Sequence, residues 1–87
     1  MFTGAIMNHE QLIKELSSIY GPVQAGKIFR TVMPGILADF SGMLRAASAD
    51  EPVQKEYRVD DGSAVIVMRG MREKGGNLQM EAHCHTV

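Results

Sequence analysis

The sequence predicts an α+β fold in which two N-terminal helical segments pack on one face of a three-stranded antiparallel β-meander. The main observation is that the spacing of apolar residues changes near Pro52, from a helical period of about 3.6 to a strand period of 2. The second is a pair of turn dipeptides, Asp61-Gly62 and Gly75-Gly76, which divide the C-terminal part into three strands. We therefore predict a single domain over residues 1–87, helical over 8–49 and a β-meander over 53–87.

The first helix is predicted from about residue 9 to residue 20. Asn8 suits the N-cap, and Gln11 stands where the partner of a capping box belongs. Gly21 and Pro22 end the helix, because glycine accepts the left-handed conformation of a C-cap and proline stops continuation. The apolar residues of this segment recur on one helical face: Leu12, Ile13, Leu16, Ile19 and Tyr20.

A second helical stretch is predicted from near Val23 toward Ala47. Pro34-Gly35 interrupts it, since Pro34 lacks the N–H that would donate to an i−4 carbonyl. The apolar stripe nevertheless keeps its register across the break. We therefore predict a kinked helix, or two nearly collinear helices, that bury one face together. The residues of the stripe are Ile28, Phe29, Val32, Met33, Ile36, Leu37, Phe40, Met43, Leu44 and Ala47.

The apolar pattern of the three strands also predicts their register. The first turn places Tyr57 opposite Ile66. A second loop of three residues, Lys74 to Gly76, keeps the apolar residues of the third strand on the same face as those of the second. A two-residue loop would turn them to the other side. The longer loop also sets Arg69 opposite Glu81, a cross-strand pair of opposite charge.

The composition of the chain argues against several classes of function. A net charge of −1 and the absence of tryptophan argue against a nucleic-acid-binding protein. The single cysteine, Cys84, excludes an intramolecular disulfide and suits a reducing compartment. Because there is no signal peptide and no apolar run long enough for a membrane span, we expect a cytoplasmic protein without membrane contact. Residues 1–7 are a short apolar lead, which the pattern leaves open as a flexible tail, a hydrophobic staple or a brief extra strand.

The second face of the sheet is the main candidate for function. It collects Val65, Val67, Arg69 and Met71, and two short helices cannot also cover it. Seven methionines supply adaptable apolar surface, and both edges of the sheet are expected to be open. We therefore predict a non-enzymatic protein-interaction module (an adaptor, regulator or inhibitor) that forms a homo-oligomer and binds a protein partner through this face or the edges. The alternative is that residues 1–7 fold back over the two valines.

A metal- or small-ligand-binding domain is the second hypothesis. His83 and His85 lie two residues apart on a strand, so both imidazoles point the same way, and Glu81 adds a third donor. The competing interpretation is two solvated histidines on an edge strand. Cys84 points to the core side, where a lone cysteine is a small buried hydrophobe. No catalytic spacing is visible, so we predict no enzyme and no cofactor; an enzyme whose site forms only at a dimer interface is the third hypothesis.

Overall fold

The computed structural model describes residues 6–59 and 62–87. Two helices, α1 (His9–Tyr20) and α2 (Pro22–Ala46), precede three strands, β1 (Val53–Val59), β2 (Ala64–Arg72) and β3 (Leu78–Thr86). The strands form one antiparallel sheet in the order β1-β2-β3. The predicted α+β architecture, with helices packed against a three-stranded meander, is confirmed.

The junction between the helices follows from two residues. Gly21 takes φ 85°, which favours glycine, and its N–H donates to the Ser17 carbonyl at 2.8 Å. Pro22 then occupies the first position of α2, where its missing N–H costs nothing and its fixed φ suits a helix. α2 continues as one helix of 25 residues through Pro34. It ends at Ala46, so the predicted helical range to residue 49 runs too far.

Asn8 has a different role from the predicted one. It precedes α1, but its side chain makes no capping hydrogen bond, so the expected capping box with Gln11 is wrong. The Asn8 amide instead donates to the Ala82 carbonyl at 2.7 Å and accepts from the Ala82 N–H at 3.0 Å. An amide side chain that bonds both groups of one residue imitates a neighbouring strand.

The strand register is the predicted one. Tyr57 pairs with Ile66, and Arg69 pairs with Glu81. The second loop has the predicted length: the Glu73 N–H donates to the Asn77 carbonyl at 2.8 Å. Within that loop, Gly76 takes φ 93°. The Asp61-Gly62 turn lies partly outside the described residues, which omit 60 and 61.

The helices and the inner face of the sheet share one hydrophobic core. We call inner the face that meets the helices, and outer the opposite face. At Gly70, α2 packs close to the sheet: a Cβ atom there would lie 3.2 Å from both Phe40 and Leu44 and would collide with the backbone carbonyl of Gln79. The fully buried side chains of the core include Leu12, Leu16, Met33, Phe40, Leu44, Ile66, Met68 and Met80.

The two edges of the sheet differ. At the β3 edge, Ile6 forms a parallel bridge with Met80, and the Met7 N–H donates to the Met80 carbonyl at 2.8 Å. Glu15 of α1 accepts a hydrogen bond from the Cys84 N–H at 2.9 Å, and Asn8 bonds Ala82 as described above. The expectation of two open edges is therefore wrong for β3, because the chain supplies its own partners there. Ile6 and Met7 also lie beside β3 rather than over the outer-face valines; residues 1–5 are outside the described range.

Candidate functional site

The outer face of the sheet is not covered by either helix. None of its residues belongs to the shared core. Because successive side chains of a strand point to opposite faces, every second residue of each strand lies on this face. Three columns of side chains result, with polar columns on β1 and β3 flanking a mostly apolar one on β2. They are Gln54, Glu56 and Arg58 on β1, Val65, Val67, Arg69 and Met71 on β2, and Gln79, Glu81, His83 and His85 on β3.

A shallow groove of about 360 Å³ lies at one end of this face. Its lining includes Met7, Pro52, Gln54, Arg69, Met71 and Glu81, and we call it the Met71 groove. It therefore brings together two of the four predicted interface residues, Arg69 and Met71. Met7, which reaches the groove from the β3 edge, is 72% exposed. Sequence analysis missed Met7 because its position depends on the bridge between Ile6 and β3.

Arg69 is oriented by its neighbour on β1. Its Nε donates to Gln54 Oε1 at 3.0 Å. Although Arg69 lies opposite Glu81 in the register, no carboxylate within the described chain comes into ion-pair range of its guanidinium. The two terminal nitrogens of the guanidinium thus remain available to an acceptor from outside the chain.

The other two predicted interface residues contribute much less surface than expected. Val65 and Val67 are each only 7% exposed. The register places Arg58 and His85 beside Val65, and Glu56 and His83 beside Val67. An arginine commonly lays its aliphatic stem on such apolar surface, and a histidine its ring, with the polar end in water. The accessible apolar part of the outer face is therefore its Met71 end.

The predicted metal ligands do not converge. His83 Nδ1 lies 3.5 Å from Glu15 Oε2, and His83 Nε2 lies 3.9 Å from Glu81 Oε2, so carboxylates flank both ring nitrogens. His85 is exposed and joins neither contact. Over residues 6–59 and 62–87, no three His, Cys, Asp or Glu side chains gather into a group that could hold a metal ion. The geometry therefore gives no support to the metal hypothesis, which stays a prediction.

Cys84 lies on the inner face and is buried. Burial, and then the nearby Glu15 carboxylate, raise the pKa of the Cys84 thiol to about 11. A thiol with that pKa is almost entirely protonated near neutral pH, and the thiolate is the nucleophilic form. This environment suits a structural cysteine.

A polar cluster that sequence analysis missed connects α2 to β1. Asp39 Oδ2 accepts a hydrogen bond from the Tyr57 hydroxyl at 2.5 Å and forms an ion pair with Lys55 Nζ at 3.0 Å. The Tyr57 and Lys55 contacts lower the pKa of Asp39, in that order. Burial, followed by the Asp39 contact, raises the pKa of the Tyr57 phenol. The sequence does carry a sign of this cluster: Lys55 is a charged residue at an inward-facing position of a strand whose other inward-facing residues are apolar or aromatic.

Comparisons with protein-family models, curated proteins and solved structures find nothing that matches this chain. In the part of the chain that the structure describes, neither helix has both the length and the apolar character needed to cross a membrane. The outer face and the sheet edges are therefore the features of this chain that bear on its function.

Proposed function

We propose that this chain is a small, non-enzymatic protein-interaction module that self-associates and binds a protein partner in the Met71 groove. It would act in the cytoplasm as an adaptor, regulator or inhibitor by covering a surface of that partner. The observation that supports the proposal is a groove on a helix-free sheet face, whose lining includes Met7 and Met71 beside an arginine without a carboxylate partner in the described chain. The groove predicts the chemistry of the partner.

The apolar part of the groove suits an aliphatic or aromatic side chain. Met7 and Met71 have flexible, polarizable thioether side chains that adapt to different shapes. Met7 is largely exposed, so a ligand side chain placed against it would remove apolar surface from water. Pro52 adds a rigid wall on the β1 side.

The polar part of the groove suits a carboxylate. The bond to Gln54 holds the Arg69 guanidinium in place, so its terminal N–H groups are pre-oriented for an acceptor. Arginine pairs with carboxylates through two parallel hydrogen bonds, which fixes geometry as well as affinity. The partner we propose is therefore a protein segment that presents an apolar side chain next to an Asp, a Glu or a C-terminal carboxylate.

Site-specific photo-cross-linking in the native host tests this proposal. A photoreactive residue at Met71 is expected to capture a discrete partner, and the same residue at Val23, which is 87% exposed on α2, is the matched control. Combining the Met71 probe with Arg69→Glu is expected to abolish the product, because the variant repels a carboxylate. The proposal fails if no product forms at position 71, if position 23 gives the same product, or if Arg69→Glu leaves the yield unchanged.

A further inference from the structure

The β3 and β1 edges of the sheet differ in whether the chain forms hydrogen bonds with their outward backbone groups. Four hydrogen bonds with Met7, Asn8 and Glu15 engage outward backbone groups of β3, at Met80, Ala82 and Cys84. In the described residues, no strand and no side chain bonds the outward backbone groups of β1. A strand edge left unpaired beside a protected one is a template for another strand.

We propose that a second copy of this chain pairs antiparallel along β1, with Tyr57 of one copy opposite Tyr57 of the other. The two three-stranded sheets then form one continuous sheet of six strands. This inference rests on the self-association in the proposed function, and it adds the strand, the direction and the register.

The charges of β1 select the register. A two-fold axis perpendicular to the sheet places the residue on the axis opposite its own copy and keeps the two outer faces on one side. An axis at Lys55, Glu56 or Arg58 would therefore set identical charges against each other, which is destabilising. With the axis at Tyr57, Glu56 of each copy lies opposite Arg58 of the other, so the strand pair gains two reciprocal ion pairs. An axis nearer either end of β1 shortens the paired stretch.

On the inner face of the sheet, the side chains next to the β1 edge leave room for this pairing. Lys55 is the charged side chain that could hinder a second strand, but Asp39 neutralises it and holds it toward α2. On the Asp39 side of α2, Gly35 and Ala46 lie one and two turns away and are exposed. A Cβ atom at Gly35 would meet nothing within 4 Å. Two copies of α2 can therefore lie side by side above the joined strands.

A charge-swap experiment on the full chain tests the register. Mass in solution is measured by sedimentation equilibrium from about 10 µM to about 500 µM, the range in which a small edge contact dissociates. Wild type is expected to reach the dimer mass, and Glu56→Arg and Arg58→Glu are each expected to remain monomeric because like charges then face each other. Both positions are exposed, so the variants are expected to fold. An equimolar mixture of the two single variants is expected to form a heterodimer, because opposite charges then face each other at both pairs.

Each outcome decides the inference. A monomeric wild type over the whole range overturns both the pairing and the self-association. A wild-type dimer whose mass neither single variant changes overturns the β1 register but leaves self-association through another surface. Monomeric single variants whose mixture also stays monomeric overturn the reciprocal pairing. Partner capture at Met71 is measured separately, by cross-linking.

Discussion

Replacing Gly70 by alanine should be strongly destabilising, although a glycine inside a strand is usually a weak point that alanine improves. The added methyl group would lie 3.2 Å from Phe40 Cε2 and from Leu44 Cδ1, and it would collide with the Gln79 carbonyl oxygen. Phe40 and Leu44 are fully buried, and a carbonyl in a strand cannot rotate away. α2 and β3 must therefore both shift.

The magnitude follows from the cost of overpacking. Forcing one extra methyl into a packed core costs about 1–3 kcal/mol, and a backbone obstacle puts Gly70→Ala near the upper value. For a domain of this size, about 3 kcal/mol lowers Tm by about 12–24 °C. That is a large part of the stability of a small domain, which is on the order of 5 kcal/mol.

Gly42→Ala is the matched control, because it makes the same chemical change inside α2, near its C-terminal end. A Cβ atom at Gly42 meets nothing within 4 Å, so alanine there should raise stability by about 0.5–1 kcal/mol through helix propensity and a smaller unfolded-state entropy. Urea unfolding followed by circular dichroism measures both variants at one protein concentration. If Gly70→Ala is as stable as wild type, α2 does not pack on β2 at the described distance and the account of the core is wrong.

Three further predictions concern stability. Asn8→Ala should lower the free energy of unfolding by about 1–3 kcal/mol, because the N–H and C=O of Ala82 lose their partner, whereas Gln11→Ala should leave it nearly unchanged. Equal losses for the two variants in urea unfolding would favour the capping box instead. Burial raises the pKa of the Cys84 thiol in the folded state. The stability that this thiol contributes is therefore complete below the ordinary thiol pKa of 9.0 and is lost as pH rises toward about 11. Cys84→Ala should make the alkaline decline in Tm shallower, and an unchanged slope of Tm against pH contradicts the burial of the thiol. Asp50 holds φ 63°, so Asp50→Gly should raise the free energy of unfolding by about 0.5–1 kcal/mol, and a loss would show that the aspartate side chain supports the α2–β1 junction.

The sequence predicted the strand register because side chains alternate with a period of 2 and a one-residue slip would expose the entire apolar set. Tyr57 opposite Ile66 and Arg69 opposite Glu81 follow from that rule and two turn dipeptides. Asn8 shows where such local rules fail. An asparagine before a helix fits an N-cap, and only the fold brings Ala82, distant in sequence, within reach of its side chain.

The candidate site was predictable only in part, because its shape depends on contacts between residues distant in sequence. Alternation placed Arg69 and Met71 on the outer face, and both line the groove. The same alternation suggested open surface at Val65 and Val67, which are nearly buried. The Asp39 contacts to Lys55 and Tyr57 could not be read from spacing, since they depend on how α2 lies over β1.

The two proposed surfaces are coupled by geometry. Gln54, which orients Arg69 in the Met71 groove, lies three residues from the axis at Tyr57. If two copies pair along β1, their Gln54 residues are therefore separated by about 20 Å along the strands, at about 3.3 Å per residue. Both grooves then open on the same side of the joined sheet. Because Pro52 and Met71 lie two residues farther from the axis than Gln54, an extended segment of roughly ten residues or more is needed to reach both grooves. A partner with two acidic-apolar segments at that spacing would bind both grooves at once, and the raised effective concentration would make weak contacts sufficient.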